Sequence, residues 1–241
     1  MKINIGGILD ISTVDYPGKV SSVVFFCGCN FRCPFCYNVS LVRGEACEEV
    51  EVEEVVKKIK GFKEFIDSVT ITGGEPTLQE EGLKELCIGL KNMKLLVKLD
   101  TNGYRPEVLK ELVNLVDFVS LDVKAPPDKY NFLSGIECEL QKIKKSIEIL
   151  KNSEIDYELR TTVVPGVNDS VDDIKKLCEF IGKVKCYVLQ QFRPEGGTLD
   201  PKFSETEKMD RNRLWELAKV AKSFGLNVKI RTEEDGERVV E

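Results

Sequence analysis

Short apolar runs alternate along this chain with longer stretches in which apolar residues return every three or four positions. The β-rich runs predict strands over 21–26, 68–72, 95–99, 118–123, 157–164, 186–191 and 226–230. The three-to-four periodicity predicts helices over 50–60, 79–92, 106–114, 138–151, 170–181 and 205–224. Six βα repeats in tandem imply a parallel sheet with helices outside it. The strand runs are mostly apolar without alternation, as expected when both faces are covered. No linker or low-complexity segment divides the chain. It is therefore expected to form one domain over 1–241, with a core of about 20–231. Residues 1–19 are expected to pack on that core, and the charged tail 232–241 to fray.

The polar residues that break this pattern cluster where predicted strands end. Cys29 follows the first strand, Gly73-Gly74-Glu75-Pro76 the second, and Asp100-Thr101-Asn102-Gly103 the third. Asp122 and Lys124 end the fourth, Arg160 to Pro165 the fifth, and Gln191-Phe192-Arg193-Pro194 the sixth. In a parallel α/β barrel these positions share the C-terminal rim, where such folds keep their active sites.

Composition narrows the chemistry. The 241 residues are 42% hydrophobic and 32% charged, as in a soluble globular chain, with no apolar stretch of membrane-spanning length. The N-terminal residues do not read as a signal peptide, and nine cysteines in such a chain point to a reducing cytosol and thiolate ligands rather than a disulfide framework. A net charge of −6 offers no basic footprint for nucleic acid. There is no histidine at all, which removes His-based triads, His-ligated zinc and imidazole acid–base catalysis.

The main chemical centre is then Cys29-Asn30-Phe31-Arg32-Cys33-Pro34-Phe35-Cys36. Its C-x3-C-x2-C spacing lets one tight loop aim three thiolates at a single point. A structural zinc site wants four protein ligands, and an electron-transfer cubane normally has four cysteines. Three cysteines would leave one iron of a [4Fe–4S] cluster with an open position. The remaining cysteines, Cys47, Cys87, Cys138, Cys178 and Cys186, lack metal-ligand spacing and read as small apolar residues or loose thiols, and Cys27 lies within reach of the loop.

This loop, with Phe35 before its last cysteine, resembles that of the radical S-adenosylmethionine superfamily. The resemblance implies a partial (β/α)6 TIM-like barrel with Cys29, Cys33 and Cys36 on the cluster and S-adenosylmethionine on the open iron. It also implies cofactor contacts from Phe35, from Gly73, Gly74 and Glu75 beside the methionine amino group, from Asp100 and Asn102 near the ribose, and from Asp122 and Arg160. Asp100 and Asp122 would hold a monovalent cation beside the cofactor carboxylate, and Val163 and Val164 would flank the adenine or simply serve the core.

The segment 13–19, Thr-Val-Asp-Tyr-Pro-Gly-Lys, is similar to that of glycyl-radical-enzyme activating proteins, and residues 8–38 most resemble the activators of anaerobic ribonucleotide reductase. Tyr37-Asn38 stands where that branch usually has His-Asn, and Cys27 where it usually has Gln. The implied activity is reductive cleavage of S-adenosylmethionine to a 5′-deoxyadenosyl radical, which removes a glycine Cα hydrogen from a partner enzyme. The electron donor would be of flavodoxin or ferredoxin type, in the cytoplasm, without nucleic acid or membrane. Two alternatives stay open: a radical enzyme on a small molecule, like the 7-carboxy-7-deazaguanine synthases, and a non-catalytic iron–sulfur protein.

Overall fold

A computed structural model of the chain describes residues 1–194 and 196–241. It forms two compact units. Unit one comprises 1–30, 40–120 and 153–156, and unit two 31–39, 121–152 and 157–241.

In unit one, β1 (Lys2–Tyr16) and β2 (Lys19–Phe26) form an antiparallel pair. Helix α1 (Val39–Arg43) leads to β3 (Glu48–Glu51), which returns antiparallel to β1. Helix α2 (Val52–Lys60) and helix α3 (Glu80–Asn92) alternate with β4 (Ser68–Gly73) and β5 (Leu96–Thr101). Helix α4 (Pro106–Leu112) then precedes β6 (Phe118–Asp122), whose last two residues belong to unit two. Strands β2, β4 and β5 are parallel, with Phe26 opposite Gly73 and Ile71 opposite Leu99. Helix α2 starts where it does because Glu51 and Glu54 close a reciprocal capping box on its first turn. Its Val55 and Ile59 join Leu83, Leu86 and Leu90 of α3 and Val69, Ile71, Val97 and Leu99 of the strands in a buried core.

Strands β4 and β5 are buried on both faces, as expected, although their residues alternate in polarity. Val69, Ile71, Val97 and Leu99 take one face, and Thr70, Thr72, Lys98 and Asp100 the other.

In unit two, α5 (Tyr130–Ser134) and α6 (Leu140–Lys151) precede β7 (Asp156–Val163, its first residue in unit one), α7 (Val171–Ile181) and β8 (Tyr187–Gln191). Then come α8 (Pro201–Ser204), α9 (Arg211–Lys222), β9 (Val228–Thr232) and β10 (Gly236–Val239). Strands β7, β8 and β9 are parallel. Ser170 and Asp173 cap α7 reciprocally, and Asp210 caps α9. The helix expected over 205–224 is the shorter α9, which starts only at Arg211 after its Asp210 cap, and α8 lies before that range.

Two expectations need correction. The tail does not fray: β10 pairs antiparallel with β9, Glu237 bridges Lys229 and Arg231, and Val240 is buried. Its charges are those of an exposed edge strand rather than of a loose end.

Nor are all the cysteines outside the metal loop unpaired. Cys27 and Cys47 form a disulfide, with Cα atoms 6.1 Å apart across a separation of 20 residues. The cause is register, since Ile5 of β1 lies opposite Phe26 on one side and Glu48 on the other, so their neighbours Cys27 and Cys47 are brought together. The reading of Cys87 and Cys178 as small apolar core residues agrees with their burial. Non-reducing peptide mapping of the purified protein should recover a cross-linked Cys27–Cys47 peptide. Cys87 and Cys178 should alkylate only after denaturation.

Candidate active site

The start of the cysteine loop is built by backbone. Gly74 N–H donates to the Phe26 carbonyl and Glu75 N–H to the Gly28 carbonyl, both at 2.8 Å, while Gly28 N–H donates to the Leu41 carbonyl at 2.9 Å. The approach is so close that a Cβ on Gly74 would lie 1.9 Å from the Gly28 oxygen, and one on Gly73 2.5 Å from the Phe26 oxygen. Gly73 also has φ +112°, which L side chains rarely adopt. Both glycines are thus required by contact with the strand that carries Cys29. Gln79 adds a side-chain tie, donating to the Cys27 carbonyl at 3.1 Å and the Asn4 carbonyl at 2.9 Å.

Glu75 is buried and uses both carboxylate oxygens on the scaffold. Oε1 accepts from Thr77 N–H at 3.1 Å, Thr77 Oγ1 at 2.6 Å and Thr101 Oγ1 at 2.8 Å, and Oε2 from Asn102 N–H at 2.7 Å. Burial pushes its carboxyl above the usual range, and those donors oppose the shift. Glu75 therefore caps the turn Pro76–Gln79 and locks the end of β5 to the end of β4. Asn102 carries the lock onward: its Nδ2 donates to Asn30 Oδ1 at 2.8 Å and lies 3.9 Å from Cys29 Sγ.

The other carboxylates carry cations of the chain itself. Asp100 is ion-paired with the buried Lys98. Asp122 accepts from Arg160 Nε at 2.7 Å and from Lys124 Nζ at 2.9 Å. Burial alone would raise the Asp122 carboxyl, but Arg160 and Lys124 outweigh it and hold it well below the usual range. Burial would likewise lower the Lys124 ammonium. The Asp122 carboxylate and the thiols of Cys33 and Cys36 outweigh it and hold the ammonium well above its ordinary value. Burial pushes the Cys36 thiol up, against the Asn38 backbone N–H and Lys124.

The second half of the loop is pinned within unit two. Arg32 N–H donates to the Ser134 carbonyl at 2.8 Å, Asp200 N–H to the Pro34 carbonyl at 3.0 Å and Leu199 N–H to the Cys36 carbonyl at 2.9 Å. A Cβ on Gly135 would lie 2.0 Å from the Arg32 oxygen, and its φ of +68° ends α5. Phe35 is buried, and Tyr37 is exposed. Val163 and Val164 are fully buried.

Cys29 belongs to unit one with Gly73, Gly74, Glu75, Asp100 and Asn102, and Cys33, Phe35 and Cys36 to unit two with Asp122 and Arg160. Among the described residues, no three cysteine, aspartate or glutamate side chains stand at metal-holding distances. Sequence reasoning missed Asn30, Lys98, Thr77, Thr101 and Asn168. Asn168 is buried at the end of β7, accepting from Val164 N–H at 2.7 Å and donating to the Thr162 carbonyl at 3.1 Å. The one available signal was Lys98, a charge inside an otherwise apolar strand run.

Comparison with known proteins agrees with this geometry. Residues 23–181 match the family described as the Radical SAM superfamily. A radical SAM methyltransferase from Sphaerobacter thermophilus shares the mixed α/β fold, with a TM-score of 0.72 at 16% identity over 90% of this chain and 67% of that one. The chain is thus a radical SAM protein.

It is 39% identical, over 96% of its length and 97% of the relative's, to a Methanocaldococcus jannaschii protein assigned as a glycyl-radical enzyme activating enzyme. It is 30% identical, over 91% and 97%, to the pyruvate formate-lyase-activating enzyme of Clostridium pasteurianum. Within the superfamily the chain belongs to the glycyl-radical enzyme activating enzymes.

That family implies a [4Fe–4S] cluster and S-adenosylmethionine. The loop fits them, because Asn30 Nδ2, beside Cys29, is buried without a hydrogen-bond partner. A monovalent cation fits less well, since each of its two expected carboxylates already faces a side-chain cation. No helix among the described residues is long and apolar enough to cross a membrane.

Gly74→Ala should displace Gly28 and Cys29, cost about 1–3 kcal/mol through overpacking, and lower iron uptake on anaerobic reconstitution. Glu75→Gln should set an amide N–H₂ against donors and destabilise the fold by about 1–3 kcal/mol, measured by urea denaturation.

Proposed function

We propose that the chain activates an anaerobic ribonucleotide reductase by removing a hydrogen from a glycine Cα of that enzyme. The supporting observation is the knot in which Glu75 and Asn102 join the Gly-Gly-Glu turn, the Asp-Thr-Asn-Gly turn and the Cys29–Asn30 start of the cysteine loop. A protein that only carried electrons would not need two further strand ends locked to its cysteine loop.

When bound, the cluster and S-adenosylmethionine supply a one-electron reductive cleavage that ends in hydrogen abstraction from carbon. The chain's own residues organise the place where this happens. Cys29, Cys33 and Cys36 would provide the thiolates, and Lys124 opposes the burial that pushes the Cys36 thiol up. Gly73 and Gly74 let the turn approach the strand that carries Cys29. Glu75 holds Asn102 in place, and Asp122 orients the Arg160 guanidinium, whose planar fork suits a cofactor carboxylate or ribose oxygen. Phe35, next to the last cysteine in sequence, is buried. A flavodoxin- or ferredoxin-type protein would deliver the electron, in the cytoplasm.

The choice of reductase rests on the Asp-Tyr-Pro-Gly-Lys segment and the run from Gly28 to Cys36. Pyruvate formate-lyase is the second reading, because a relative spanning nearly the whole chain acts as its activating enzyme. The small-molecule reading draws no support from either of these relatives.

Anaerobically reconstituted protein with dithionite and S-adenosylmethionine should form 5′-deoxyadenosine, and Cys33→Ala should form none. With the reductase added, a glycyl radical should appear by electron paramagnetic resonance. A radical formed only on a lyase would move the assignment to that partner. A loaded cluster giving no cleavage with either would remove the activase reading.

A further inference from the structure

The side-chain amide of Asn30, the residue after Cys29, is held in one orientation. Its Oδ1 accepts from Asn102 Nδ2 at 2.8 Å, and the flip of Asn102 is set in turn because its own Oδ1 accepts from Tyr104 N–H at 3.0 Å. The Asn30 Nδ2 group is thereby directed away from Asn102. Among the described residues it is the one buried side-chain nitrogen or oxygen left without a hydrogen-bond partner. A buried amide N–H₂ without an acceptor is disfavoured, so the site is complete only when an acceptor arrives.

Its neighbour identifies the acceptor class. Cys29 Sγ lies 4.0 Å from Asn30 Oδ1 and 3.9 Å from Asn102 Nδ2. A negatively charged sulfur or carboxylate oxygen at this spot is the kind of acceptor the Asn30 Nδ2 group can serve.

We propose that Asn30 is a positioning residue whose Nδ2 donates to an anionic atom of the bound centre, either a sulfur of the cluster on the Cys29 side or the carboxylate of S-adenosylmethionine. The proposal rests on the radical SAM reading. It adds that the orphaned amide tunes the centre while Glu75 and Asn102 keep it aimed.

The test uses Asn30→Asp, which keeps the acceptor for Asn102 but replaces the donor with an anionic oxygen, and Asn30→Leu, which removes both. In each reconstituted variant, iron content, cluster midpoint potential without cofactor, and S-adenosylmethionine affinity are measured against wild type. A more negative potential in both variants, larger for Asn30→Asp, places the acceptor on cluster sulfur. An unchanged potential with affinity weakened about ten-fold or more places it on the cofactor carboxylate. A folded Asn30→Asp chain with wild-type melting that no longer takes up iron also supports the contact. Full loading with wild-type potential and affinity in both variants overturns it. Failure of the wild type itself to load iron or cleave the cofactor would instead count against the underlying reading.

A different observation carries a second inference. Lys98 is only 2% exposed, and its ammonium pairs with Asp100 on the same face of β5. Burial of a lysine in a strand is costly unless its charge is matched, so this pair is a built feature. We infer that Lys98 takes the place of the monovalent cation expected at Asp100, making cofactor binding independent of potassium and sodium. S-adenosylmethionine affinity of the loaded wild type should be unchanged when choline chloride replaces KCl and NaCl at equal ionic strength. Lys98→Met should create a potassium dependence. Loss of wild-type affinity of about ten-fold in choline would overturn the inference without any variant.

Discussion

The arrangement of the site depends on one buried carboxylate. Glu75 accepts four hydrogen bonds, from Thr77, Thr101 and Asn102, so its charge is satisfied almost wholly by two turns that are distant in sequence. Without it, the donors of Thr101 and Asn102 would be buried unpaired, and a lost partner of this kind costs more than a hydrogen bond gains. The same turn presents the Gly74 and Glu75 N–H groups to the strand end that carries Cys29. The Cys29–Asn30 start of the cysteine loop, the glycine turn and the asparagine turn are therefore tied together within unit one.

A second constraint is charge matching. The carboxylates Asp100 and Asp122 are answered by Lys98, Lys124 and Arg160. Lys124 also lies close enough to Cys33 and Cys36 for their charges to raise its own proton affinity, which links the Asp122 pair to the cysteines. In a chain without histidine, lysine and arginine do this electrostatic work.

Much of the fold was legible because its signals are local. The helices at 52–60, 80–92, 140–151 and 171–181 announce themselves by periodicity, since each must bury one stripe. Strand β1 was missed: its glycines and exposed apolar residues hide the alternation, and it is stabilised by pairing with β2 and β3 rather than by propensity. Strand β10 was read as a tail for the same reason. An edge strand dense in charge looks like a solvated end until Lys229 and Arg231 are seen opposite Glu237.

The sequence alone determined the chemistry that depends on short spacing. Cys29, Cys33 and Cys36, the paired glycines before Glu75 and the strand-end placement of the polar turns are all readable within a few residues. Tertiary structure decided what each group spends its bonds on. Glu75 serves the scaffold, Asp100 faces a buried lysine, Cys27 meets Cys47, and the Asn30 amide is left with an unmet donor. The division has a physical cause: spacing along a chain fixes which atoms can share a loop, whereas pairing and burial depend on strand register, which brings together residues far apart in sequence.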